Sequence, residues 1–165
     1  GQPLAVFAGG GSGPPPTLDP ADVAVNVVVQ AMDLQGNSIT NVKVGEQFMV
    51  QALLVLTAPS GVEAFSGYAD LAFTSRLVQP IQDANNVGLV GSSVGPDLID
   101  EAGRIVYGDS EILFTKTFKA TRKGTATFSA DAAELLGHEI YVTGLDDALP
   151  WSQVTFGSTT LIIKN

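Results

Sequence analysis

The stretch Val44-Gly45-Glu46-Gln47-Phe48-Met49-Val50-Gln51-Ala52-Leu53-Leu54-Val55-Leu56-Thr57-Ala58 decides how this chain folds. It is the longest apolar run, and its period is two. Phe48, Val50, Ala52, Leu54 and Leu56 fall on one side, and Met49, Gln51, Leu53, Val55 and Thr57 on the other. Successive side chains of a strand point to opposite faces, so the first set reads as an uninterrupted core face. β-branched Val50, Val55 and Thr57, with Gly45 before and Pro59-Ser60-Gly61 after, favour a strand over a helix. The second face is unusual. An antiparallel strand normally shows water a polar side, and this one carries Met49, Leu53 and Val55. Something is expected to cover them, either a local segment such as residues 82–103 or a partner.

Outward from this strand the pattern repeats. Residues 22–33 alternate Val23, Val25, Val27, Val29 and Ala31 against Ala24, Asn26, Val28, Gln30 and Met32. Residues 63–75 place Phe65, Gly67, Ala69, Leu71 and Phe73 on one side, with Tyr68 and Asp70 on the other. Residues 77–81 continue extended, and Pro80 suggests an edge or bend. Residues 82–103 are irregular. Strands are expected at 104–107, 111–121, 125–130, 139–143 and 154–163, the last interrupted at Gly157-Ser158. Residues 131–137 read as a short helix, with Asp131 as cap, Glu134 at the capping-box spacing and Gly137 at the end. The whole predicts an all-β, two-sheet antiparallel jelly-roll sandwich of about nine strands with one short helix, preceded by an extended N-terminal arm.

The expected organisation is an apolar arm at 1–8, a Gly/Pro-rich linker at 9–21 and the sandwich at 22–165. The linker's Gly half is flexible and its Pro half stiff. A solvated tail has no need of Leu4, Val6 and Phe7, so the arm is expected to act as a donor strand on a sheet edge, in its own domain or in a neighbour. A chain beginning at Gly1 without Met reads as a processed product or a segment of something longer.

Composition excludes several classes. Of 165 residues, 45 % are apolar and only 15 % charged, which speaks for a packed domain rather than a disordered chain. The net charge of −9 provides no footprint for nucleic acid. No apolar stretch reaches the roughly 20 residues of a membrane-spanning helix, so membrane insertion is not expected. Cysteine is absent, which removes disulfides and thiolate chemistry.

Catalytic motifs are missing. His138 is the sole histidine, no Gly-x-Ser-x-Gly elbow exists, and its place after Gly137 suggests a surface or capping residue. Residues 9–13 lack the Lys and following helix of a phosphate-binding loop. Asp97, Asp100 and Glu101 are weak calcium candidates, because hard oxygen ligands suit that ion, but they lack EF-hand spacing. No cofactor is otherwise expected. Tyr68, Tyr107, Tyr141 and Trp151 are few for a sugar platform; Trp151, in a loop after Pro150, reads as an end plug or a ligand contact.

The series 42–50, then Gly67-Tyr68-Ala69-Asp70-Leu71-Ala72-Phe73, then 113–125 resembles the cohesin-like modules of bacterial extracellular proteins, which are related in architecture to some carbohydrate-binding modules. The likeness runs in order over roughly 22–164. Residues 95–103 and 156–161 look like a variant found in large surface proteins of planctomycete-type bacteria. The resemblance implies a nine-stranded jelly-roll, an extracellular or cell-surface location, no enzymatic activity, and a protein partner. Two roles are expected. The first is a structural module that assembles with copies of itself or other modules, as a filament if the arm donates a strand, with Leu4, Val6, Phe7, Met49, Leu53 and Val55 as contacts. The second is a recognition module for a dockerin-like partner or a polysaccharide, with Trp151 as contact.

Overall fold

Two curled sheets face each other in the computed structural model, which describes residues 18–165. The strands are β1 (Ala24–Met32), β2 (Asn41–Lys43), β3 (Gln47–Thr57), β4 (Ala64–Phe73), β5 (Val78–Ile81), β6 (Ser93–Val94), β7 (Leu98–Gly108), β8 (Ser110–Ala120), β9 (Gly124–Ala132), β10 (Tyr141–Val142), β11 (Val154–Phe156) and β12 (Ser158–Lys164). One sheet has the order β11-β1-β3-β8-β5, and the other β2-β12-β9-β4-β7-β6, with β10 beside β4. The expected sandwich is therefore present, with several extra short strands.

The decisive strand is central. β3 pairs with β1 on one side and β8 on the other. Phe48, Val50, Ala52 and Leu54 are fully buried, as their alternation requires. Phe48 and Phe118 from this sheet meet Phe73 and Phe128 from the other, with ring centroids 5.1–5.9 Å apart in stacked and edge-to-face pairs. Such pairs contribute about 0.5–1.5 kcal/mol each beyond their area, and they clamp the two layers together.

The interruption at Gly157 is a change of sheet. β11 runs parallel to β1, and β12 runs antiparallel to β9. Between them the Gly157 amide donates to the Val27 carbonyl at 2.8 Å. A Cβ at Gly157 would lie 2.9 Å from that same carbonyl oxygen, so only glycine lets the backbone pass this close.

Three expectations need correction. Residues 98–103 belong to β7, which starts at Leu98 rather than at Arg104. No helix forms at 131–137: Ala130, Asp131 and Ala132 continue β9 against Leu71, Asp70 and Ala69. The helical turns in the described residues are 3-10, at Pro20–Asp22 and Trp151–Gln153. Met49, expected to need cover from a local segment or a partner, is buried, while Leu53 and Val55 are half-buried. The reason is lateral packing. Met49 stands between Met32 and Thr117, and Leu53 between Val28 and Ile112. A polar row runs between these apolar ones, where Gln30 Nε2 donates to Gln51 Oε1 at 2.7 Å. The 82–103 segment extends the sheet edge, with Val87 bridging Thr115 and Asn86 Oδ1 accepting from the Thr117 amide.

The expected arm and its contacts Leu4, Val6 and Phe7 lie outside the described residues. Leu18 already packs beside the core, and Asp19 caps the first 3-10 turn through the Ala21 amide at 2.9 Å. Among the described residues no helix is long and apolar enough to cross a membrane.

Candidate functional site: the outer face of β4 and β7

Alternation along β4 puts Gly67, Ala69, Leu71 and Phe73 inside and Ser66, Tyr68, Asp70 and Ala72 outside. An outward Asp should be solvated, yet Asp70 is only 6 % exposed. It is covered because residues 133–138, which follow β9, fold back across this face.

Glu101 holds them there. It sits in a β7 bulge with φ 60°, in the left-handed region that costs a non-glycine residue about 1–2 kcal/mol. That conformation turns its side chain onto the loop, where it is 3 % exposed. Its Oε1 accepts the amides of Glu134 and Leu135, and its Oε2 lies 2.7 Å from His138 Nδ1. Glu134 is at the N3 position, whose amide Asp131 would have capped in a helix. Asp131 Oδ1 instead accepts from the adjacent Ala132 amide at 2.8 Å. A carboxylate from another strand has thus taken over the cap, which is why sequence spacing predicted a helix that is not there.

His138 is no free surface residue. Its ring lies on Tyr68, with centroids 4.1 Å apart. Tyr68 can lie flat because its neighbour on β7 is Gly103, where a Cβ would come within 2.8 Å of the Tyr68 ring. Neither partner was legible in sequence, since 37 residues separate His138 from Glu101. The left-handed glutamate has no sequence signature.

Electrostatically the face is acidic. Burial, and then the charges of Asp100, Glu101 and Glu134, push the Asp70 carboxyl up to about 6, although its Oδ1 accepts the Glu101 amide at 2.8 Å. Burial also disfavours the Glu101 charge, but the loop amides and His138 outweigh it and lower its pKa. Asp70, Asp100 and Glu101 bring carboxylate oxygens within 4.8 Å of one another. Of the three calcium candidates, Asp97 is not in this group. Glu101 spends both oxygens on N–H donors, so the cluster is built to hold the loop, and hard-cation chemistry has no second sign here.

On β7 and on the loop that Glu101 holds, large apolar side chains face water. Leu136 is 95 % exposed, Tyr107 74 %, Ile105 64 % and Leu135 57 %. Arg104 sends its Nε to the Ile112 carbonyl. Lys43 and Lys164 pair at the far end of the sheet, beyond Gly124. Trp151 is half-buried at another end of the sandwich, 5.6 Å from Phe156.

No family model and no curated protein matches the sequence. Solved structures do match the fold. A cohesin module from a family 33 glycoside hydrolase of Clostridium perfringens superposes with a TM-score of 0.54 at 11 % identity, covering 84 % of this chain and 98 % of that one. A non-cellulosomal cohesin from the archaeon Archaeoglobus fulgidus gives 0.51 at 12 %, covering 87 % and 92 %. A type II cohesin domain from the cellulosome of Acetivibrio cellulolyticus gives 0.51 at 10 %, covering 88 % and 95 %. The protein is a cohesin-like β-sandwich.

Proposed function

We propose that this chain is a non-catalytic protein-recognition module of an extracellular or cell-surface assembly, docking its partner on the outer face of β4 and β7. The observation that carries the reading is the exposure of Ile105 and Tyr107 on β7 and of Leu135 and Leu136 on the loop that Glu101 of β7 holds, together with the acidic cluster at that junction. Large exposed apolar side chains grouped on one face mark contact sites. Charge complementarity selects a partner segment with apolar side chains flanked by Lys or Arg. The cohesin-like fold supports a protein partner, and one solved match is a cohesin in complex with a dockerin, from Clostridium thermocellum.

The test is calorimetric titration with dockerin modules and with amphipathic helices bearing Lys and Arg. Leu135→Ser with Leu136→Ser should weaken any binding at least about tenfold while leaving the melting temperature unchanged, because both side chains already face water and no charge is added. Undiminished binding by the double variant would overturn the assignment of the face.

A second reading keeps the arm as a strand donor to a neighbouring copy. It draws on β11, a three-residue edge strand at the end of its sheet that offers backbone groups for pairing. Head-to-tail addition without closure would build a filament. Deleting residues 1–16 should then abolish self-association in sedimentation; an unchanged oligomeric state rejects it. For a polysaccharide partner, loss of pull-down on Trp151→Ala is the corresponding sign.

A further inference from the structure

Residues 133–138 are fastened to the sheet inside a field of like charge. Facing the latch are Asp70 from β4, Asp100 and Glu101 from β7, Asp131 from β9, and Glu134 and His138 from the loop, with Glu139 next along the chain. The one imidazole is the sole basic group of this cluster, since Arg104 is turned to the Ile112 carbonyl.

We infer that this loop is an acid-tightened latch: protonation of Asp70 clamps residues 133–138 onto the sheet, and pH thereby sets how Leu135 and Leu136 are presented. As regulation of the docking face, the inference rests on the reading above.

Burial beneath the loop and the neighbouring carboxylates set the sign, and they outweigh the Glu101 amide that favours the charged form of Asp70. Asp70 adjoins Asp100 and Glu101, so neutralising it removes repulsion from the carboxylate that holds the loop. Its raised pKa places that change in mildly acidic solution. His138 donates through Nδ1 to Glu101 Oε2 at 2.7 Å. Because Glu101 is ionised, this bond is charge-assisted at both ends of the pH range. The ring also stacks on Tyr68, with centroids 4.1 Å apart. The opposing group is Glu101 itself, whose lowered pKa keeps it charged while Asp70 titrates. Glu134 contributes its backbone amide to the latch and its own charge to the repulsion.

The experiment is amide hydrogen exchange of Glu134 and Leu135 in the full chain at about pH 5.5 and about pH 7.5, corrected for intrinsic rates. Protection at the lower pH should exceed that at the higher by about tenfold or more. Asp70→Asn retains an acceptor for the Glu101 amide, so the variant should fold. It should flatten the pH response. Equal protection at both pH values in the wild type, or a full response in Asp70→Asn, overturns the latch. The response should be the same with added calcium and with a chelator; one that needs calcium also overturns it. Exchange is read without a partner, so it fails or succeeds separately from the binding test on Leu135 and Leu136.

Discussion

The ring of Tyr68 lies flat on the imidazole of His138, 5° from parallel and 4.1 Å away. A residue of the sheet and a residue of the loop thus share one face, and their contact closes the edge of the latch opposite Glu101. Tyr68→Ala should destabilise the protein by about 1–2 kcal/mol and speed exchange across residues 133–138. Tyr68→Phe retains the stack and should behave as wild type. Equal exchange in the Ala variant would show that Glu101 alone holds the loop.

Glu101 combines an unfavourable backbone with a favourable side chain, and two substitutions separate them. Glu101→Ala removes the acceptor of two amides and keeps the left-handed cost, so a loss of about 2–4 kcal/mol is expected. Glu101→Gly removes the same acceptor but relieves the backbone, and should be about 1 kcal/mol less damaging. Urea midpoints decide; equal losses would mean that φ 60° carries no strain.

Stability should depend on pH through Asp70. Its folded pKa of about 6 lies above the ordinary 3.8, so between these values the folded state binds the extra proton. Stability therefore falls as pH rises through this window and levels off above it. Glu101 works in the other direction: its pKa lies below 4.5, and its contribution is lost only as pH falls through that lower value. Asp70→Asn should remove the slope between about pH 4.5 and 6 and raise stability at pH 7 by on the order of 1–3 kcal/mol. Chemical denaturation at the two ends of the window checks it, and an unaltered slope would place the titration elsewhere.

Gly103 is required by shape. A Cβ there would lie 2.1 Å from the Gly67 carbonyl oxygen and 2.6 Å from Tyr68 Cα, both backbone atoms that cannot swing aside. Gly103→Ala should cost the upper part of the roughly 1–3 kcal/mol range for overpacking, or more. It should also displace Tyr68 from His138, visible as a change in the His138 ring proton shifts. A neutral substitution would refute this close approach.

Phe118 touches Phe48, Phe73 and Phe128 and is fully buried. Phe118→Ala should cost about 3–5 kcal/mol by removing contacts to both sheets. The expected readout is a lower thermal midpoint; a small shift would mean that the remaining rings close the gap.

The strand pattern was legible because period-two alternation is a local property. Phe48 to Leu56 predicted its own core face, and Gly157-Ser158 marked the break in the last strand without revealing that the strand changes sheets there. Met49 was misjudged for a physical reason: alternation tells which face a side chain takes, not how tightly its cross-strand neighbours close around it. Met32 and Thr117 are distant in sequence and adjacent in register.

Sequence by itself determined the class: an acidic, cysteine-free β-sandwich with its central strand at 44–58 and a cohesin-like order of strands. Only the tertiary structure decided the site. Asp131, Glu134 and Gly137 spell a capped helix, and the local interactions they offer are each worth about 1 kcal/mol. A buried carboxylate from β7 takes the Glu134 amide, and that of Leu135 as well, with charge-assisted bonds, and β4 pairs the residues that would have begun the helix. Long-range pairing outweighed the local preference, and in doing so it brought Tyr68, Asp70, Glu101 and His138 together on one face.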